Sequence, residues 1–122
     1  GALIKAMART NNIEAGPWNL VHTNASTLEG RVGGALVGLG AEVAMVSRHK
    51  DGKTRLTVRA ARVSTSQGVH LGEMMQTLAN ELGGEGGGHD GAAGLTVAVD
   101  RIAAESAFIN LLAKTRRAEG ES

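Results

Sequence analysis

The chain has 122 residues, 42% of them apolar and 20% charged, which is enough for one globular domain with an aliphatic core. It contains no cysteine, which excludes disulfides and thiolate chemistry, and no apolar run reaches the roughly 18–20 residues of a membrane span. The net charge is only +1, but six of the thirteen basic residues lie between Glu42 and Glu73, where Asp51 is the only acid. This local excess indicates either an anionic partner or a solvated basic hairpin, and we expect a cytoplasmic protein without membrane contact.

Domain boundaries are predicted from the two ends of the chain. Residues 2–9, ALIKAMAR, have a helical pattern, and residues 1–16 are interpreted as the end of a linker helix that belongs to a longer protein. The sequence RAEGES predicts a frayed tail over residues 117–122. One domain is therefore expected over residues 17–116.

The first part of that domain is predicted to contain a strand followed by a helix. Residues 18–25, WNLVHTNA, are typical of a strand, and residues 28–39 are predicted as a helix that ends at a glycine. Gly33, Gly34 and Gly38 each weaken that helix by roughly 1 kcal/mol relative to alanine. We therefore expect these glycines to allow close packing against a sheet.

A β-hairpin is the clearest local prediction. Two segments that alternate apolar and polar residues flank Asp51-Gly52, the preferred pair for a type I′ turn. In the second segment the alternation places apolar residues on one face of the strand. Arg55, Thr57 and Arg59 share the other face, so the hairpin presents positive charge on one side only.

The rest of the domain is predicted to run helix, glycine-rich loop, strand, helix. Residues 71–82, LGEMMQTLANEL, have apolar residues at helical spacing, and Gly83-Gly84 supply a left-handed C-cap. Residues 95–99, LTVAV, predict a buried strand, and residues 101–116 predict a last helix. These elements predict an α/β fold in which a mixed β-sheet of four to five strands, including the hairpin, is flanked by α-helices.

The segment GGEGGGHDGAAG, residues 83–94, has seven glycines in twelve residues. Its literal GxGxxG match follows a helix and precedes a strand, the reverse of a dinucleotide-binding loop. The four histidines of the chain have no helical i, i+4 spacing and no carboxylate-rich surroundings, so the sequence predicts no metal site. Two interpretations remain open: a backbone nest that binds an oxyanion or a nucleotide together with His89, or a flexible connection between helix and strand.

The motif GGGHDGAAG after an amphipathic helix, together with an LTVRA strand before it, resembles a known family. Over roughly residues 18–112 the chain resembles the C-terminal DHH-associated domain of the DHH phosphoesterases. That group includes RecJ-type single-strand exonucleases, oligonucleotide-degrading nanoRNases and cyclic-dinucleotide phosphodiesterases. In it the C-terminal domain holds the substrate across a cleft from the catalytic half. The resemblance implies that substrate is bound by the following residues: Arg59, Gly86, Gly87, Gly88 and His89.

Arg55 lies two positions from Thr57 and four from Arg59 on the same strand face, and is assigned to the same substrate-binding site. Thr57 and Ala60 stand where the family's Ser-x-Arg-Ser strand has serines, so position 60 has no hydroxyl. The related domain of alanyl-tRNA synthetase typically continues its glycine loop to Arg-Pro. His89 therefore favours the DHH branch.

No DHH tripeptide occurs in this chain. The resemblance therefore implies that the domain contains no catalytic residue and binds no metal or cofactor itself. It also implies that Mn²⁺ or Mg²⁺ is bound by a DHH catalytic domain of the same polypeptide. The chain alone is expected to be inactive.

Three functions are considered. The favoured one is the substrate-binding domain of a RecJ-like, metal-dependent single-strand nuclease, whose ligand is single-stranded nucleic acid or a short oligonucleotide. The second is the substrate domain of a phosphodiesterase that acts on oligoribonucleotides or cyclic dinucleotides. The third is a non-enzymatic module whose basic hairpin docks a replication or repair protein. The glycines, the arginines and the histidine together suit a phosphodiester, which favours the first two over the third. The preferred length of the substrate separates the first function from the second.

Overall fold

Five helices and six strands follow one another in the computed structural model, which describes residues 1–119. In chain order they are α1 (Ala2–Ala8), β1 (Asn11–Ala15), β2 (Trp18–Asn24), α2 (Glu29–Gly38), β3 (Val43–Lys50), β4 (Lys53–Ala60), α3 (Arg62–Ser66), α4 (Leu71–Leu82), β5 (Glu85–Gly88), β6 (Ala92–Val97) and α5 (Arg101–Lys114). Of the helices in this part of the chain, none combines the length and the apolarity needed to span a bilayer.

The six strands form one mixed sheet in the order β1-β2-β3-β4-β6-β5. β2 and β3 are parallel and are joined through α2, whereas the other neighbouring pairs are antiparallel. The predicted α/β class, with a mixed sheet and flanking helices, is confirmed. The sheet has six strands rather than four to five, because the edge strands β1 and β5 were not predicted.

The β3–β4 hairpin has the predicted turn. Asp51 (φ 54°) and Gly52 (φ 75°) both have positive φ angles, as a type I′ turn requires. On β4, Leu56 and Val58 are fully buried while Arg55 is exposed, so the predicted division of the strand into an apolar and a polar face is confirmed.

The sheet has a main core on one face and a smaller core on the other. On the first face α4 and α5 pack against the central strands, and Leu56, Met75, Leu95 and Phe108 are fully buried there. On the second face α1 and α2 pack over β2, β3 and part of β4, around Val32. The residues that β5 and β6 present on this second face are only partly buried or exposed. Half of the second face is therefore left open.

Residues 1–16, predicted as the end of a linker helix, are only partly helical. α1 ends at Ala8, and β1 pairs with β2 through a turn in which Gly16 has a φ of 58°. Ala6 is buried, and its carbonyl accepts a hydrogen bond from Thr23 Oγ1 at 2.5 Å, which attaches α1 to β2. The sequence does not reveal β1 because the strand is short and three of its five residues are polar and exposed, so only Ile13 and Ala15 indicate a buried face.

The tail predicted to fray from residue 117 instead packs on the domain as far as the structure describes it. Arg117 lies over the Trp18 ring at 4.3 Å from its centroid, donates to Gln67 Oε1 at 2.8 Å and forms a salt bridge with Glu42. The hydrogen bond from Arg117 holds the pKa of the Glu42 carboxyl below its usual value. Ala118 N–H donates to Gln67 O at 2.8 Å. Residues 120–122 of the predicted tail lie outside the described residues.

Candidate functional site

The glycine-rich segment over residues 83–94, predicted as a loop, folds as a β-hairpin. Gly83 ends α4 with a φ of 75°, which is the left-handed C-cap that the sequence predicted. β5 then pairs along the edge of β6, and only residues 89–91 connect the two strands. The loop prediction is wrong for residues 85–88. A loop was expected because glycine has a low strand propensity, but β5 forms through its pairing with β6 and its packing on α4.

Backbone packing explains two of the glycines in this hairpin, Gly86 and Gly88. A Cβ on Gly86 would lie 2.5 Å from the carbonyl oxygen of Met75 in α4. From the helix side, a Cβ on Gly72 would overlap the carbonyl of Gly88. Gly88 also has a φ of 143°, a conformation that favours glycine. Gly86 and Gly88, which were assigned to substrate contact, therefore have structural reasons to lack a side chain.

Gly87 has no structural reason of this kind to lack a side chain. No heavy atom lies within 4 Å of the position that a Cβ on Gly87 would occupy. Because successive residues of a strand point to opposite faces, Gly87 faces away from α4 and toward the uncovered half of the sheet. The domain's own packing leaves room for a side chain here, so its absence is consistent with a molecule that approaches from outside.

The uncovered half of the sheet is a shallow surface that we call the open face. It is defined by Arg55, Thr57 and Arg59 of β4, Ala92, Gly94 and Thr96 of β6, and Gly87 of β5. The register places Thr57, Gly94 and Gly87 side by side across the three strands. A Cβ on Gly94 would meet nothing closer than 3.6 Å. The centre of the open face is therefore mostly bare backbone.

Arg59 lies in the groove between β4 and α2. Its Cγ lies 3.0 Å from the position that a Cβ on Gly33 would occupy, and its Nη2 lies 3.4 Å from the corresponding position on Gly30. The guanidinium group therefore reaches the first turn of α2, whose N-cap residue Leu28 makes no side-chain capping hydrogen bond. Of the salt bridges within residues 1–119, none involves Arg59. Its charge is available to a ligand on the open face.

Arg55 and Thr57 extend the polar groups of the open face. Arg55 Nη1 donates to Thr96 Oγ1 at 3.4 Å, and its Nη2 lies 3.7 Å from the Cβ position of Gly94, so the guanidinium extends over β6. Thr57 Oγ1, between Arg55 and Arg59 on the strand, is buried and has no hydrogen-bond partner among residues 1–119. A buried hydroxyl of this kind gains about 1–3 kcal/mol when it is paired. Sequence reasoning places Thr57 on the polar face of the strand with Arg55 and Arg59, but does not include it among the substrate-binding residues.

His89 lies at the end of the open face nearest Arg59. Its N–H donates to Ala92 O at 2.8 Å, and its carbonyl accepts from Gly72 N–H at 2.8 Å, which fixes the connection against the first turn of α4. Ala92 pairs directly with Arg59. The backbones of His89 and Arg59 are thus about two strand spacings apart, roughly 10 Å. The imidazole is exposed.

Positive charge continues from the open face to the tip of the β3–β4 hairpin. Arg48 pairs directly with Arg55, and Lys50 pairs with Lys53. Among residues 1–119, Arg48 is the only one of these four in a salt bridge, with Glu29 at 3.3 Å. The predicted basic segment is therefore one continuous cationic surface.

The fold and this surface define a small α/β domain with one half of a sheet face left open and bordered by arginines. The DHHA1 domain family matches residues 32–115, which run from within α2 to the end of α5 and include the whole open face. The chain belongs to the DHHA1 domain family, and the predicted relation to DHH-associated domains is confirmed.

A curated relative is similar over most of the chain. The uncharacterized protein MJ0988 of Methanocaldococcus jannaschii is 35% identical over 102 residues, which is 82% of this chain and 31% of that protein. The chain thus spans about a third of the length of the curated relative it matches.

Three solved structures share the fold. The C-Ala domain of alanyl-tRNA synthetase from Aquifex aeolicus has a TM-score of 0.67 at 14% identity, over 84% of this chain and 98% of that one. The PF0399 DHH domain, a member of the s1p family of ribosomal proteins, has a TM-score of 0.69 at 18% identity, over 93% and 30%. The pGpG-specific phosphodiesterase PggH of Vibrio cholerae has a TM-score of 0.56 at 17% identity, over 87% and 36%. At these identities the likeness shows the fold alone.

Proposed function

We propose that this chain is the substrate-binding domain of a RecJ-like single-strand nuclease of the DHH family, and that its open face binds the phosphodiester backbone. DHHA1 domains normally accompany a DHH catalytic domain in the same chain. The observation that carries the proposal is the row Thr57–Gly94–Gly87, with Arg55 on one side of it and Arg59 on the other. This row offers a nucleic-acid strand two guanidinium groups and a path without large side chains.

Each part of the open face suits a phosphate oxygen or a nucleotide. Arg55 and Arg59 can form charge-assisted hydrogen bonds with phosphate oxygens that are worth about 1.5–3 kcal/mol each. Across the glycines the sugar-phosphate chain can approach the sheet more closely than side chains would allow. His89 at the rim can donate to a phosphate or stack on a terminal base.

Hydrolysis itself is proposed to take place in a DHH catalytic domain of the same polypeptide. Within residues 1–119 no three His, Asp or Glu side chains come together as metal ligands. The Mn²⁺ or Mg²⁺ of the reaction, which activates water and stabilises the leaving oxygen, is therefore proposed to be bound by that other domain. The chain described here should leave a labelled oligonucleotide intact in the presence of Mn²⁺, and stoichiometric metal-dependent cleavage would contradict the proposal.

The proposal is tested by binding as a function of ligand length and salt. Fluorescence anisotropy compares labelled dinucleotides with longer single strands of DNA and RNA, each at several salt concentrations. If about three to five phosphates are contacted, the log–log salt slope should be roughly −2 to −3.5, at about 0.7 per phosphate. Arg59→Gln should weaken binding, and Arg116→Gln is the control, because it removes the same charge from an exposed arginine in the C-terminal segment, away from the open face.

The outcomes separate the three functions. Affinity that rises with strand length supports the single-strand nuclease. A preference for dinucleotides supports a small-nucleotide phosphodiesterase instead. Binding that is absent or independent of salt, or that is equally affected by Arg59→Gln and Arg116→Gln, favours the protein-docking module.

A further inference from the structure

A cavity lies at the carboxyl ends of the parallel strands β2 and β3, far from His89. Its volume is about 320 Å³. Arg59 pairs with Ala44 near the start of β3, whereas Arg48, which lines the cavity, lies four residues further along the strand, about 13 Å away at 3.3 Å per residue. In open α/β sheets, ligands are bound in the crevice at the carboxyl ends of the parallel strands.

Three arginines line this cavity, and none of its lining residues is a carboxylate. Arg9 follows α1, Arg48 lies on β3, and Arg101 begins α5. Three distant parts of the sequence thus converge on one crevice. Like charges gathered around a concave surface raise the local potential and attract an anion.

Each guanidinium group is anchored through its Nε. Arg48 Nε and Arg101 Nε lie 3.3 and 3.7 Å from carboxylates outside the cavity lining, and Arg9 Nε donates at 3.2 Å to a main-chain carbonyl one turn earlier in α1. Terminal N–H groups make only long bonds to main-chain carbonyls, from Arg9 Nη2 at 3.3 Å and from Arg48 Nη1 at 3.4 Å. Further N–H groups of each arginine therefore stay available to a ligand.

A buried polar network lies at the base of the cavity. Ser47 is fully buried, and its Oγ lies 2.6 Å from Asn24 Oδ1, 2.5 Å from Glu105 Oε2 and 2.9 Å from His22 Nε2. Burial lowers the pKa of His22 despite the opposing effect of Glu105, whose Oε2 lies 3.0 Å from His22 Nε2. The same carboxylate oxygen lies 3.7 Å from Arg101 Nε, so the network extends to an arginine of the cavity wall.

We propose that this cavity is a second phosphate-binding site, separate from the open face. A guanidinium group can form bidentate hydrogen bonds to two oxygens of a phosphate group. Three guanidinium groups around one cavity can therefore donate to all the oxygens of a bound phosphate. The ligand is a phosphate group, either free or carried by a nucleotide chain. Arg48 also borders the open face through its pairing with Arg55, whereas Arg9 and Arg101 contribute to the cavity alone. These two arginines make the inference independent of the function proposed for the open face.

The test titrates the isotope-labelled chain with inorganic phosphate, and with sodium chloride at the same ionic strength. NMR signals of the arginine Nε–H groups are followed in the native chain, in Arg9→Gln, in Arg101→Gln and in the control Arg116→Gln. We expect saturable shifts at Arg9, Arg48 and Arg101 with phosphate alone, and at least a fivefold weaker affinity in the two cavity variants but not in the control. Arg101→Lys, which keeps the charge, should recover part of the affinity if Arg101→Gln also disturbs folding.

A second series replaces phosphate with a labelled single strand. If the cavity variants weaken binding of the strand as well, the phosphate belongs to a nucleotide chain. If they leave strand binding unchanged, the site takes free phosphate. Shifts that do not saturate, or that chloride reproduces, or equal losses of affinity in the control variant, would overturn the proposal.

Discussion

Gly86 and Gly87 are neighbours in the sequence with opposite structural roles, and alanine substitutions should separate them. Gly86→Ala places a Cβ 2.5 Å from Met75 O and 3.0 Å from Leu95 Cδ1, so α4 and β5 must move apart. Overpacking of this kind costs about 1–3 kcal/mol. Gly87→Ala meets no atom within 4 Å and should stabilise the strand by about 0.5–1 kcal/mol, because alanine loses less backbone entropy than glycine on folding.

Thermal unfolding followed by circular dichroism measures this difference. At about 4 °C per kcal/mol for a domain of this size, the Tm values of the two variants should differ by roughly 6–16 °C. A third variant, Gly87→Val, adds a branched side chain to the open face beside Gly94. It should weaken oligonucleotide binding about tenfold, equivalent to 1.4 kcal/mol, without lowering Tm.

Two results would refute this reasoning. If Gly87→Ala lowers Tm as much as Gly86→Ala does, position 87 has a packing role that the geometry does not contain. If Gly87→Val binds a single strand as tightly as the native chain, ligands do not lie across the row of glycines.

Three further predictions concern the arginine, the core and acid stability. Arg59→Gln and His89→Ala should each change stability by no more than about 0.5–1 kcal/mol. Each variant should also weaken oligonucleotide binding about tenfold, because it loses one charge-assisted contact of about 1.5 kcal/mol. Urea unfolding measures the change in stability, and fluorescence anisotropy measures the change in affinity. If either variant fails to fold, the role of that residue is structural. Leu78→Ala, at a side chain only 2% exposed, should cost about 2–5 kcal/mol in calorimetry and leave the affinity of the folded protein unchanged. The hydrogen bond from Arg117 lowers the folded-state pKa of Glu42 from about 4.5. The ionised Glu42 carboxylate therefore stabilises the fold at neutral pH, and this stabilisation is lost as the pH falls through the folded-state pKa. Glu42→Gln should reduce the fall of Tm in acid.

The parts of the fold that the sequence predicts well are those specified by local chemistry. The β3–β4 hairpin follows from Asp51-Gly52, because few residue pairs adopt two successive positive φ angles. α4 follows from apolar residues at helical spacing and from the glycine at its C-cap. The charged face of β4 follows from simple alternation. In each case the determining residues are close together in the chain.

The parts that it misses depend on distant partners. β5 has no side chain that indicates a strand, and it forms because β6 and α4 lie on its two sides. Arg117 is held by Trp18, Gln67 and Glu42, none of which is near it in the sequence. Gly86, Gly87 and Gly88 look equivalent in the sequence, because the sequence does not show that α4 packs on only one face of β5. The structure gives Gly86 and Gly88 packing roles, and the substrate contact assigned to them stays a prediction.

The glycines of α2 help to decide whether the basic hairpin is a binding surface or only a solvated one. Each glycine weakens a helix by roughly 1 kcal/mol relative to alanine. Gly34 and Gly38 meet no atom within 4 Å, and the structure gives no packing reason for them. Gly30 and Gly33, by contrast, face the Arg59 side chain, and a Cβ on Gly33 would lie 3.0 Å from its Cγ. An arginine needed only for solubility could turn into solvent and leave α2 free to have alanine at both positions. A half-buried Arg59 in a groove made by two helix-weakening residues is better explained by a guanidinium group that must be held at one place, and that place is the edge of the open face.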